Sequence, residues 1–235
     1  MADFDTAKAR DAIFGRIRSN QRRGPAITSD ERAAVGEYLQ RHPVGPQPRI
    51  EGDLTIRFRA TSERMSSTVD EVPHAADAPA AVARYLAEHK LGAQAVVWPA
   101  LSSLDWQGAG LAVEARPPKR DESQGADPVG ITGCFAAIAE TGTLVLLSSS
   151  ETPASTHLLP ATHIALVPAS RIVATMEDAF ALMRRERGSG GATGSMMPRA
   201  VNMVSGPSRT GDIEQTIVLG AHGPFRVHLV VLTQE

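Results

Sequence analysis

Helical and strand patterns alternate along the chain from about residue 49, and this alternation restricts the fold more than any other feature. Apolar residues at helical spacing predict three helices, Glu51–Glu63, Ala78–Lys90 and Thr175–Arg187. Short aliphatic runs between turn residues predict eight strands: Ser67–Val72, Ala95–Trp98, Leu111–Ala115, Phe135–Ala139, Thr143–Ser148, Ile164–Val167, Ala200–Val204 and Val227–Leu232. Helices that alternate with strands in this way favour an α/β sandwich with a largely parallel sheet.

The first 48 residues read as a separate helical arm. Apolar spacing predicts a helix from Phe4 to about Asn20, and the capping-box pattern Thr28–Glu31 opens a second one that ends before His42. Three prolines in His42–Pro48 indicate a linker. We therefore expect an arm over residues 1–48, packed on the core or on a partner, and one domain over residues 49–235. The apolar stripe Ile13, Phe14 and Ile17 favours ordinary packing over a docking face.

Charge and cysteine content exclude several classes of function. The chain has 24 lysines and arginines against 26 acidic residues, so no basic excess indicates nucleic-acid binding. A single cysteine, Cys134, excludes an internal disulfide, and it also excludes an iron–sulfur cluster held by this chain alone. The start of the chain lacks the pattern of a signal peptide, and no apolar run approaches the length of a membrane span. We therefore expect a cytoplasmic protein.

Two polar bends carry the strongest indication of a site. Ser205–Pro224 is rich in glycine, proline and serine with interleaved charges, and Glu140–Gly142 forms a tight turn between two predicted strands. Both segments directly follow strands. Because ligands of parallel α/β sheets bind beyond the carboxyl ends of the strands, we expect the two bends to face one cleft there. The segments Pro117–Asp127 and Gly188–Ser195 are predicted to be flexible.

Three segments resemble a known family. The runs Gly130–Leu147, with its Ala-Glu-Thr-Gly-Thr signature, Leu158–Val167 and Ser205–Pro224 are similar to the LUD-domain family, in particular to lactate-utilisation proteins of the LutC/YkgG type. The resemblance implies a fold of the NagB/RpiA/CoA-transferase-like group. It also implies a role in lactate catabolism, the oxidation of L-lactate to pyruvate, beside two iron–sulfur partner proteins. The clusters would lie on the partners, and this chain alone would bind no cofactor.

Arg209 is the first candidate for ligand binding, because a guanidinium pairs bidentately with a carboxylate such as that of lactate. Backbone N–H groups near it would add hydrogen bonds if a helix started there. The alternative is an arginine that pairs with Asp212 or Glu214 to hold its own loop. The predicted ligand-binding set comprises Arg209, Ser205, Gly206, Ser208, Thr210, Gly142 and Thr143.

Glu140 and His222 are the candidate catalytic residues. In CoA transferases of the implied fold group a glutamate forms the acyl intermediate, whereas a structural Glu140 would accept hydrogen bonds from its own turn. His222 in a rigid turn could act as base for the lactate hydroxyl. The spacing of the histidines matches no compact zinc signature, so no metal site is predicted. Gly142 is expected to adopt a positive φ.

Three functional hypotheses follow. The leading one is an accessory subunit of a lactate-oxidising system that binds a small carboxylate or other anion between Arg209, Glu140 and His222. The first alternative is a free-standing acyl- or CoA-transferase-like enzyme that uses Glu140. The second is a non-catalytic scaffold for iron–sulfur proteins.

Overall fold

The computed structural model describes residues 6–24, 26–119, 127–188, 197–211 and 217–234. The chain separates into two compact units, Met1–Gln47 and Pro48–Glu235, and each is described by itself. Among the described residues, no helix is long and apolar enough to cross a membrane.

In its described residues, the first unit consists of two helices, α1 (Ala7–Asn20) and α2 (Ser29–Arg41). The capping box predicted from the sequence is present, since the Thr28 hydroxyl accepts from the Glu31 N–H and the Glu31 carboxylate accepts from the Thr28 N–H. The predicted start at Phe4 lies outside the described residues. Ile13, Phe14 and Ile17 are 60%, 42% and 43% exposed, so α1 and α2 do not bury the stripe against each other.

The second unit contains three helices and twelve strands within its described residues. The helices are α3 (Leu54–Arg64), α4 (Ala78–Glu88) and α5 (Met176–Arg187). The strands are β1 (Thr68–Val72), β2 (Gln94–Val97), β3 (Ala112–Ala115), β4 (Val129–Thr132), β5 (Ala136–Ile138), β6 (Thr143–Leu147), β7 (Thr162–Pro168), β8 (Ile172–Val173), β9 (Val201–Val204), β10 (Arg209–Thr210), β11 (Val218–Leu219) and β12 (Arg226–Leu232).

A six-stranded sheet forms the centre of this unit, in the order β1-β12-β7-β4-β2-β3. Every neighbouring pair in it is parallel. The predicted α/β class with a largely parallel sheet is therefore confirmed.

A second sheet, in the order β8-β5-β6-β9, is mostly antiparallel. The predicted hairpin between β5 and β6 belongs to it, with Ile138 opposite Thr143. The last two short strands, β10 and β11, pair separately as an antiparallel hairpin within the segment that was predicted to be loop.

The two sheets lie in layers between helices, and the alternation along β7 shows how. Ile164 and Leu166 belong to the apolar cluster that includes α4, whereas Ala165 and Val167 face the cluster that includes Phe58 and the second sheet. The opposite side of the second sheet packs against α5 through Ala136, Ile138, Leu182 and Met183, among others. Side chains one residue apart point to opposite faces of a strand, so the inner strand β7 is buried on both sides, whereas the edge strands β1 and β3 carry exposed residues.

Differences from the predicted elements are local. The strand β4 was not predicted, because four residues that include a glycine give too short an apolar run. Helix α3 begins at Leu54 rather than Glu51, since the Asp53 carboxylate accepts from the N–H groups of Thr55 and Ile56 and fixes the N-terminus there.

The predicted flexible segments fall largely on residues 120–126 and 189–196, which lie outside the described residues. The ends of the first are tied together. Arg116 donates two hydrogen bonds to Asp127, at 2.9 and 2.8 Å, and the Lys119 N–H donates to the same carboxylate at 2.7 Å. The Arg116 guanidinium holds the pKa of Asp127 below its usual value.

Candidate functional site

The first bend, Glu140–Gly142, is held against helix α3. Gly142 has a φ of +65°, as predicted, and its N–H donates to Ile138 O at 2.9 Å. A Cβ at this position would lie 2.6 Å from the backbone nitrogen of Ser62. The Thr61 hydroxyl also lies 2.9 Å from Ala139 O. The turn therefore needs glycine both for its conformation and for its approach to the helix.

The second bend follows β9 and reaches the end of the same helix. Gly206 has a φ of +75°, and a Cβ there would lie 2.1 Å from Met65 O. Nη2 of Arg209 donates to Met65 O at 2.9 Å and to the Ser66 hydroxyl at 2.5 Å. A cation at a helix C-terminus is stabilised by the exposed carbonyls, so Arg209 has a structural role at the end of α3.

The two bends meet directly through hydroxyl groups. The Thr143 hydroxyl lies 2.6 Å from that of Thr141 and 2.6 Å from that of Ser205. This contact follows from the pairing of β6 with β9, in which Leu144 stands opposite Val204. Because the two strands are antiparallel, the start of β6 and the end of β9 lie at the same edge of the sheet.

The two bends come together for a different structural reason from the one expected. The bends follow strands of the four-stranded sheet, and the prediction that they lie beyond the carboxyl ends of the parallel sheet is wrong. Residues 206–210 also start no helix, because Arg209 and Thr210 form β10. The N–H of Ser208 is already donated to Pro224 O at 2.9 Å. Helix-terminal N–H groups therefore do not contribute to anion binding at this bend.

His222 lies at the far end of the second bend. It is exposed, and its backbone N–H donates to the Ser208 hydroxyl at 3.3 Å. This bond ties the two ends of the Ser205–Pro224 segment together. The proposed alternative partners of Arg209, Asp212 and Glu214, lie outside the described residues.

Glu140 is half-buried, and its backbone N–H donates to Ala174 O at 3.1 Å. Its carboxylate accepts no hydrogen bond from any part of the chain that the structure describes, so the turn-capping alternative has no support there. A carboxylate without an internal partner is available to a ligand or to a proton.

Three histidines, His157, His163 and His228, are buried. His228 is stacked on Tyr85, with ring centroids 3.9 Å apart, and its Nδ1 lies 2.8 Å from the Thr68 hydroxyl. The rings of His157 and His163 lie 5.8 Å apart in the core. Burial lowers the pKa of His157 to about 4 and that of His163 to about 3. Within the described ranges, no three histidine, cysteine or acidic side chains form a group that could hold a metal.

One feature at the parallel sheet was missed by sequence reasoning. A pocket of about 380 Å³ is lined by Trp98, which follows β2, and by Gly133 and Cys134, which follow β4. The strand β4 was not predicted, so the sequence pattern did not bring these residues together. The position of Trp98 directly after a predicted strand was the one available signal.

Together, the two sheets and the bends on α3 define an α/β domain. The three segments that resemble the LUD family all belong to this domain. The family model of the LUD domain matches residues 56–232, and the chain belongs to this family. The family predicted from the three motifs is confirmed.

Curated relatives of this chain are named lactate utilization protein C. That of Bacillus licheniformis is 34% identical over 135 residues, which are 57% of this chain and 53% of the relative. That of Geobacillus kaustophilus is 39% identical over 107 residues, 46% of this chain and 43% of the relative. That of Bacillus subtilis is 35% identical over 138 residues, 59% and 54% of the two chains. The matches thus span about half the length of these relatives.

A solved structure supports the fold. A DUF162 family protein from Deinococcus radiodurans superimposes with a TM-score of 0.55 at 23% identity, over 79% of this chain and all of that one. At this identity the similarity shows the α/β fold alone.

Proposed function

We propose that this chain works in lactate utilisation, as an accessory subunit that supports the oxidation of L-lactate to pyruvate. The names of its curated relatives support the pathway. Oxidation of lactate removes two electrons, and the chain has one cysteine, too few for the thiolate ligands of an iron–sulfur cluster. The proposal therefore assigns the electron carriers to iron–sulfur partner proteins and assigns no cofactor to this chain alone.

Within that role, we place a small carboxylate at the junction of the two bends. The observation that carries this step is the anchoring of Arg209 through Nη2 alone. Among the described residues, neither Nε nor Nη1 has a partner, which leaves three N–H donors for an anion. The hydroxyl groups of Thr141, Thr143 and Ser205 are joined by two hydrogen bonds where the bends meet, which leaves one O–H donor for an anion. Gly142 and Gly206 let the two backbones approach the helix that fixes this geometry.

Glu140 and His222 are the candidate bases in this proposal. Oxidation of the lactate alcohol to the ketone of pyruvate releases two electrons and two protons. In the proposal the electrons go to the iron–sulfur partners, and a carboxylate or an imidazole takes the hydroxyl proton. Glu140 is the stronger candidate because it is half-buried and without an internal partner in the described structure, whereas His222 is exposed.

Isothermal titration calorimetry of the full chain tests the carboxylate site. We expect L-lactate and pyruvate to bind, and lactamide, which lacks the carboxylate, to give no heat. Arg209→Ala should abolish binding, and Arg185→Ala, an exposed arginine on α5, should leave it unchanged. Equal heats for lactate and lactamide, or full binding by Arg209→Ala, would refute the assignment.

The free Glu140 carboxylate favours a second candidate, acyl transfer from a thioester. In such a step a carboxylate oxygen attacks the thioester carbonyl, the C–S bond breaks, and a glutamyl anhydride and a free CoA thiolate form. Incubation with acetyl-CoA followed by hydroxylamine trapping and mass spectrometry would show a modified Glu140 that Glu140→Gln lacks. An unmodified protein rejects this candidate.

A deletion of residues 1–47 distinguishes the scaffold alternative from the carboxylate-binding subunit and from the acyl transferase. If residues 1–47 are required for co-purification with iron–sulfur proteins while Arg209→Ala keeps lactate oxidation intact, the chain acts by docking alone.

A further inference from the structure

The order of the parallel sheet creates a crevice away from the two bends. From β2 the chain passes to β3 on one side, whereas β4, β7 and β12 follow one another on the other side. The direction of the connections thus reverses between the neighbouring strands β2 and β4. In open α/β sheets, ligands bind outside the carboxyl ends of the strands at such a reversal.

The pocket of about 380 Å³ lies at this point. Trp98 directly follows β2, and Gly133 and Cys134 follow β4, while Leu166 and Leu232 come from the carboxyl-terminal parts of β7 and β12. Its volume falls within the range of small-molecule sites, roughly 300–1,000 Å³. Four parallel strands therefore contribute to one wall of the pocket.

The chemistry of the wall is apolar and neutral. Among the described residues that line it there is no charged side chain. Its main polar groups are already bonded within the protein, since Trp98 Nε1 donates to Pro153 O at 3.0 Å and the Thr152 hydroxyl donates to Leu147 O at 2.7 Å. Burial raises the pKa of the Cys134 thiol to about 12, so that group is uncharged as well.

We propose that this pocket is a second binding site, for an uncharged and largely apolar small molecule. A carboxylate placed there would lose its hydration without gaining a cation from the described lining residues, which is costly. An apolar molecule would lose only unfavourable contact with water. None of the residues at the junction of the bends lines the pocket, so the site is independent of the proposed carboxylate site.

A fluorescence titration with the neutral probe N-phenyl-1-naphthylamine tests this site, and the chain offers a matched pair of variants. Ser103 lines the pocket, and its neighbour Ser102 does not, although both are exposed in the same segment. We expect saturable binding of one probe per chain. Ser103→Phe should change the dissociation constant at least tenfold, and Ser102→Phe should leave it within twofold.

Two results would overturn the proposal. One is probe binding that does not saturate or that responds equally to the two phenylalanine variants, which would indicate general apolar adsorption. The other is displacement of the probe by millimolar L-lactate, which would place both ligands in one site. Binding of lactate without displacement leaves two separate sites, and absence of lactate binding affects only the carboxylate proposal. Circular dichroism of each variant checks that the fold is intact.

Discussion

The two bends on α3 and the pocket at the parallel sheet are built in opposite ways. At the bends, glycine backbones touch the backbone of a helix, and hydroxyl groups and a guanidinium satisfy the polar atoms between them. At the pocket, strand ends leave a space that apolar side chains line. The contact of the two glycines with α3 tolerates almost no added atom, whereas the pocket has room for added atoms. A small increase in side-chain volume should therefore have very different effects on stability in the two regions.

The largest expected effect is that of Gly206→Ala compared with Gly133→Ala. At Gly206 the new Cβ would lie 2.1 Å from Met65 O with φ at +75°, so the bend must move away from α3. At Gly133 the nearest atom would be 3.8 Å away, in the ring of Trp98. We expect Gly206→Ala to lower the free energy of unfolding by about 3 kcal/mol or more, and Gly133→Ala by less than about 1 kcal/mol. Urea denaturation measures both.

Equal midpoints for these two variants would show that the second bend does not rest on α3. A loss of folded protein for Gly133→Ala would show that the pocket is filled in solution.

The pH dependence of stability should be set at the parallel sheet rather than at the bends. The folded-state pKa values of the buried histidines His157, His163 and His228, about 4, about 3 and about 4, lie below the ordinary value of 6.5. Between the folded-state pKa values and 6.5, the unfolded chain binds protons that the folded chain does not. Stability therefore falls as the pH drops from about 6.5 towards 4. Each buried histidine should contribute on the order of 2 kcal/mol to this loss. Urea midpoints measured from pH 7.5 to pH 4.5 give the slope of stability against pH.

One variant tests that assignment. His157→Phe removes one of the three buried groups and should flatten the slope of stability against pH. A slope that His157→Phe leaves unchanged would contradict the assignment to the buried histidines.

Arg209→Ala should have a smaller effect on stability than on ligand binding. The side chain is exposed and its loss removes bonds to Met65 O and the Ser66 hydroxyl, so we expect the free energy of unfolding to fall by roughly 1 kcal/mol. Arg209→Lys keeps a cation near the carbonyls and should recover part of that stability without restoring bidentate binding. Thermal unfolding with and without lactate separates the two roles. Loss of folded protein in Arg209→Ala would mean that its structural role dominates.

The sequence pattern predicted the helices and the main strands because their apolar periodicity is local. It also predicted the positive φ of Gly142 and the meeting of the bends. It could not assign β5, β6 and β9 to a separate antiparallel sheet, because strand partners are set by contacts between distant residues. For the same reason the contact of Arg209 with Met65, 144 residues away, was not foreseen. The pocket was missed because Gly130 interrupts the apolar pattern of β4.

The smallest expected effect concerns the hydroxyl contact between the bends. Ser205→Ala removes one partner of Thr143, which keeps its contact with Thr141 at 2.6 Å, so we expect a loss of about 0.5–1 kcal/mol. Thr143→Val removes both contacts and should cost more. A double-mutant cycle with urea denaturation measures the coupling between the two residues, which we expect to be about 0.5 kcal/mol or more for side chains in direct contact. Strict additivity would show that the bends meet only through the backbone pairing of β6 with β9, and it would remove the hydroxyl groups from the proposed carboxylate site.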